Sequence, residues 1–122
     1  MVCGLGGSAA AARATVALLD SAHPPTALFT AQNLVTIGAI QALQERGLHE
    51  RVAVVGFDDF PMADLLTPRV TVIAQDVMGI GALAVRRLFA RIAGDDGPPR
   101  EERVPTALVV RGSGEIPPPA PR

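Results

Sequence analysis

Three short apolar runs in this 122-residue chain are each followed by a pair of polar side chains. Gln32 and Asn33 come just after TALFT (26–30), and Asp58 and Asp59 directly follow RVAVVGF (51–57). Gln75 and Asp76 close RVTVIAQD (69–76). Amides and carboxylates supply fixed acceptors and donors, the groups that read hydroxyls. In open parallel sheets, ligands settle outside the carboxyl ends of the strands. A polyol or sugar suits such a rim. Polar residues also cap strand ends that hold no ligand, and spacing alone does not choose between these readings.

Other chemistry has less support. GLGGSAAAARA places glycines ahead of a helix, where an anion can sit. It has no strand before it and no Gly-Lys-Ser/Thr, so a loop with a helix cap at Ser8 is the simpler reading. His23 and His49 lie near turns without metal-ligand spacing, and no metal site is expected. Ser8 does not lie in Gly-x-Ser-x-Gly. Asp58 could act as a general base, but no partner acid, nucleophile or cofactor motif accompanies it. No enzyme and no cofactor is expected.

The elements that would position these groups alternate. The pattern predicts a helix over about 9–21, stopped by Pro24-Pro25, then a strand at 26–30. Leu34, Ile37, Ile40, Ala42 and Leu43 mark one stripe of a helix over 33–46, which Gly47 is placed to end. A strand follows at 51–57. This alternation implies parallel strands joined by helical crossovers: an α/β fold with a three-layer open parallel sheet. Residues 61–68 read as a turn or short helical piece. A third strand is expected at 69–76 and a strong helix at 77–94, with Ile80, Leu83, Ala84, Leu88 and Ile92 on its apolar face. A strand with a Pro kink is expected over 103–113.

Composition narrows the classes. The length suits one domain, and 48% hydrophobic residues supply a core. A net charge of −1 is not the basic footprint of a nucleic-acid surface. Four Phe, with no Trp or Tyr, offer no base-stacking platform. Cys3 is the one cysteine, so no intrachain disulfide or thiolate cluster can form. The start is a poor signal peptide, and no run of about 18 apolar residues could span a membrane. A cytoplasmic protein with no membrane partner is expected.

PPTALFTAQNLVTIGAIQALQERGL, VAVVGFDDFPMADLLTPRVTVIAQD and GPPREERVPTALVVRGS, in that order, closely resemble the C-terminal part of LacI/GalR-family transcriptional regulators. Their sensor domain is built like a periplasmic sugar-binding protein, and the resemblance covers about residues 8–114. It implies a partial type I periplasmic-binding-protein-like fold. Residues 1–114 would form a partial sensor domain, 77–95 would belong to its other lobe, and 115–122 would be a disordered Pro-rich tail.

The resemblance also implies roles. Asp58 matches the family's sugar-binding aspartate. Gln32 stands where Asn is usual, a side chain longer by one methylene. Gln75 matches a polar residue of the same cleft, with Val77 and Ile80 at apolar positions beside it, and Phe57 stands where an aromatic is usual. The helix at 33–46 and the stretch 61–68 resemble the surface through which these regulators dimerise, and Met62, Leu65 and Leu66 fit that role. Simple core packing would also account for those three residues.

The implied function is effector sensing and dimerisation by the part of a LacI/GalR-type regulator that lacks the helix-turn-helix. DNA would be bound only through an N-terminal domain outside these residues. The partners are a sugar or other small polar effector and a second copy of the chain. The apolar face of the helix at 77–95 would lose its sheet, which favours a homodimer or a loose, aggregation-prone fold. The alternatives are a fragment of a periplasmic sugar-binding transport protein and an inactive truncated product.

Overall fold

The computed structural model describes residues 1–120. The Pro-rich tail expected at 115–122 therefore runs partly outside the described residues. The order is α1 (Ser8–Leu19), β1 (Ala27–Thr30), α2 (Asn33–Glu45), β2 (Ala53–Phe57), β3 (Thr71–Gln75), α3 (Val77–Ile92) and β4 (Thr106–Val109), then a 3-10 turn at Ser113–Glu115. The strands form one sheet in the order β1-β2-β3-β4. β1 pairs parallel with β2, Thr30 opposite Gly56, and β2 pairs parallel with β3, Phe57 opposite Ile73. The α/β fold with an open parallel sheet is therefore present. The chain divides into two compact units, Met1–Ala74 with Leu108 onward, and Gln75–Ala107.

In the first unit, two apolar clusters make the core. Leu43, Val52 and Val54 form one, backed by Leu19, Leu28 and Leu48. Ala63, Val70 and Val72 form the other, backed by Ile40, Phe60, Leu66 and Val109. Each fully buried Val or Leu contributes about 1.5–3 kcal/mol.

The buried face of α2 differs from the expected stripe. Thr36, Gly38, Ala39, Ala42 and Leu43 are buried, whereas Leu34 and Ile37 are exposed. Small residues win the inner face because the packing is close. A Cβ on Gly38 would lie 2.1 Å from the Ser8 carbonyl oxygen and 2.8 Å from the Ala11 Cβ of α1. A Cβ on Gly56 of β2 would lie 2.8 Å from Thr36 Oγ1.

Helix ends show a second difference. Ser8 does not cap α1. Gly7 is the N-cap residue, no side chain caps it, and Ser8 is already helical. At the far end, Asp20 is joined to Arg46 by bonds of 2.7 and 2.9 Å, tying the C-terminus of α1 to that of α2. This offsets the unfavourable placing of a carboxylate at a helix C-terminus. The expected strand at 103–113 is shorter, beginning only after Pro105, which has no N–H to give a ladder.

In the second unit, the Asp76 carboxylate caps α3 by accepting from Gly79 N–H at 2.8 Å. Its Oδ2 fills the space a Gly79 Cβ would need. α3 buries none of its residues. Val77, Met78, Val85, Leu88, Phe89 and Ile92 are each at least 50% exposed.

Candidate functional site

The carboxyl ends of β1 and β2 set the site. Thr30 lies opposite Gly56 in a parallel ladder, so β1 and β2 end side by side. Gln32 follows two residues after the end of β1 and Asp58 one residue after the end of β2.

Gln32 is the N-cap residue of α2, in extended backbone, and its side chain makes no cap bond. Its carbonyl accepts from Thr36 N–H at 2.9 Å and from Thr36 Oγ1 at 3.0 Å. The Thr36 hydroxyl in turn lies 2.7 Å from the Thr30 hydroxyl, and both residues are buried. The helix start that carries Gln32 is thus fastened to the end of β1.

Phe57 ends β2, half-buried. Asp58 follows at φ 72°, the left-handed region that asparagine and aspartate enter more readily than other L residues. Its N–H donates to the Ile73 carbonyl at 3.0 Å. The chain turns abruptly there, leaving the half-buried Asp58 at the strand end.

Asp59 does something else. Its Oδ1 accepts from Phe60 N–H at 2.9 Å, and its two oxygens accept from Arg111 Nη1 and Nη2 at 2.8 and 2.7 Å. The Arg111 bond holds the Asp59 carboxyl below the ordinary value of 3.8, desolvation opposes this, and the Phe60 N–H assists. Sequence reading did not find Arg111, the partner of Asp59 52 residues on.

The other expected residues are Gln75, Met62, Leu65 and Leu66. Gln75 ends β3 and opens the second unit. There it lines a shallow depression of about 420 Å³ with Ile80, Leu83, Arg87, Arg100 and Glu102, in which Arg87 pairs with Glu102. Met62 and Leu65 are 64% and 76% exposed, whereas Leu66 packs on the Ala63, Val70 and Val72 cluster. Among the described residues, no group of three or more His, Cys, Asp or Glu is placed to hold a metal ion. No helix among them is long and apolar enough to cross a membrane.

Residues 3–114 match the family described as periplasmic binding protein-like domain. The chain belongs to that family. Its homologues are LacI-family helix-turn-helix regulators. It is 39% identical over 90 residues to the HTH-type transcriptional regulator MalR of Streptomyces coelicolor, covering 72% of this chain and 26% of that protein. Among solved structures, it is similar to a LacI family transcriptional regulator from Enterococcus faecium with bound ribose. The TM-score is 0.77 at 26% identity, over 91% of this chain and 41% of that one. It is also similar to the lac repressor dimer bound to operator and an anti-inducer, with a TM-score of 0.77 at 27% identity, over 88% of this chain and 33% of that one. The chain thus spans about a quarter of the length of the curated relative. Within the sensor domain of such regulators, the region covered is the C-terminal part.

Proposed function

We propose that this chain is the effector-sensing and dimerising part of a LacI/GalR-type transcriptional regulator. The observation that carries the reading is Asp58, held in a left-handed backbone at the carboxyl end of β2, whose parallel neighbour β1 leads into Gln32. A carboxylate accepts from two adjacent hydroxyls, and an amide supplies a donor and an acceptor beside it. That combination suits a sugar or another polar small molecule. Phe57, the last residue of β2, is the further effector contact in this reading. The ribose held by the Enterococcus faecium relative supports the sugar class.

The reading is one of sensing, not catalysis. In a regulator, the effector alters DNA occupancy by binding two conformations unequally. DNA contact would be made by a domain outside these residues, in the cytoplasm. Dimerisation would use the outer face of α2 with the stretch 61–68. Leu34, Ile37, Met62 and Leu65 are exposed apolar residues there, and such patches mark contact sites. Leu66, expected alongside them, contributes from beneath by packing on the core.

The test is an amide-resolved NMR titration with monosaccharides, pentitols and purines. Sensing predicts shifts concentrated at Gln32, Phe57 and Asp58 that saturate. Shifts scattered over the surface, or none with any compound, contradict it. Sedimentation of wild type against Met62→Glu/Leu65→Glu tests the pairing surface, with dimer expected only for wild type.

A further inference from the structure

A left-handed aspartate at a strand end must be held there by its surroundings. The strand supplies one tie, from Asp58 N–H to the Ile73 carbonyl. The next residue supplies the other. Asp59 is gripped through both oxygens by Arg111, whose side chain is 18% exposed.

Arg111 is itself fastened at several points. Its N–H donates to Thr71 Oγ1 at 2.9 Å and its Nη1 to the Val70 carbonyl at 3.3 Å. The following residues extend the attachment. Thr71 Oγ1 donates to Glu115 Oε2 at 3.0 Å, and Gly112 N–H donates to the same oxygen at 2.8 Å. Ser113 Oγ donates to the Val54 carbonyl at 2.6 Å and accepts from Thr71 N–H at 2.9 Å. Residues 111–115 therefore form a strap bolted across β2 and β3, and its one long reach toward the rim is the Arg111 guanidinium.

We propose that Arg111 is a positioning residue of the effector site: by gripping Asp59 it holds the left-handed turn that presents Asp58. The planar guanidinium matches two carboxylate oxygens at once and so fixes the orientation of Asp59 as well as its position. A lysine would offer a point charge without that orientation. Arg111 acts through Asp59 and contacts no effector in this scheme. The inference deepens the sensing function, and it depends on that function only for its ligand-binding consequence.

The test compares wild type, Arg111→Met and Arg111→Lys by amide hydrogen exchange without effector. Asp58 N–H exchange is expected to speed up about tenfold in Arg111→Met and by less in Arg111→Lys, with Ala42 and Leu43 in buried α2 unchanged. Unaltered exchange at Asp58 would overturn the proposal. Should Arg111→Met loosen Ala42 and Leu43 as well, Asp59→Asn decides, since it keeps the side-chain size and removes the charge. Faster exchange confined to Asp58 then supports the proposal, and unaltered exchange overturns it. A second arm titrates any sugar that binds wild type. Affinity should fall in Arg111→Met and recover in part in Arg111→Lys, whereas equal affinity in all three refutes positioning. If no sugar binds wild type, sensing by this chain fails separately, and the exchange result alone decides the role of Arg111.

Discussion

The hydroxyls of Thr30 and Thr36 lie 2.7 Å apart with both residues buried, joining the end of β1 to the first turn of α2. Thr36 passes the link on to the Gln32 carbonyl at 3.0 Å. Removing one partner leaves the other hydroxyl in the core with fewer bonds. Thr30→Val and Thr36→Val should each cost about 1–2 kcal/mol in urea unfolding. The double variant should cost less than the two added together, because no hydroxyl remains to be satisfied. Strict additivity would show that the pair is not coupled.

Gly38 allows α2 to meet α1 closely. Gly38→Ala puts a methyl 2.1 Å from a backbone oxygen, where no flexible side chain can give way. Overpacking of this kind costs about 1–3 kcal/mol or more. Gly81→Ala is the contrasting change, with nothing within 4 Å of the new methyl. It should raise the helix content of α3, since alanine exceeds glycine by about 1 kcal/mol in helix propensity. Circular dichroism with thermal melting checks both.

The backbone at Asp58 predicts a trade between stability and binding. Glycine adopts φ 72° without the steric cost that an L side chain meets. Asp58→Gly should therefore lose the effector while stability changes by no more than about 1 kcal/mol, because relief of the φ strain is opposed by the greater freedom of glycine in the unfolded chain. A larger loss of stability would mean that the Asp58 side chain supports the fold.

Acid should expose the Asp59 ion pair. Its folded pKa lies below 3.8, so on acidification the unfolded chain takes up the proton first. The stabilisation is present above the unfolded value and is lost as the pH falls through the folded one. Asp59→Asn should show a shallower loss of stability than wild type below about pH 4. The Asp59 side chain is 39% exposed, so salt should shrink the difference. Urea unfolding at a series of pH values reads it directly.

Much of this fold is legible in the sequence because it rests on local patterns. RVAVVGF is a β-branched run that β2 occupies from Ala53 to Phe57, and Gly47 follows α2 as its position suggests. Pattern failed where tertiary contact decides. Leu34 and Ile37 look like core residues by hydrophobicity, yet the inner face went to Thr36, Gly38 and Ala39, with α1 close against Gly38 and Gly56 of β2 close against Thr36. Ser8 looks like a cap, but the chain enters α1 through Gly7 at φ 117°. At the site, Asp58 is conspicuous because it ends a strand. Its partner-bearing neighbour is not, since an arginine 52 residues away leaves no local mark on Asp59.

Effector sensing through Asp58 is tested most directly by calorimetric titration of the chain with a panel of monosaccharides, pentitols and purines, run in parallel on Asp58→Ala. Saturable binding of at least one hydroxyl-rich compound to wild type is expected, with its loss in the variant. Equal binding by both proteins, or no binding by wild type to any compound, would contradict such sensing.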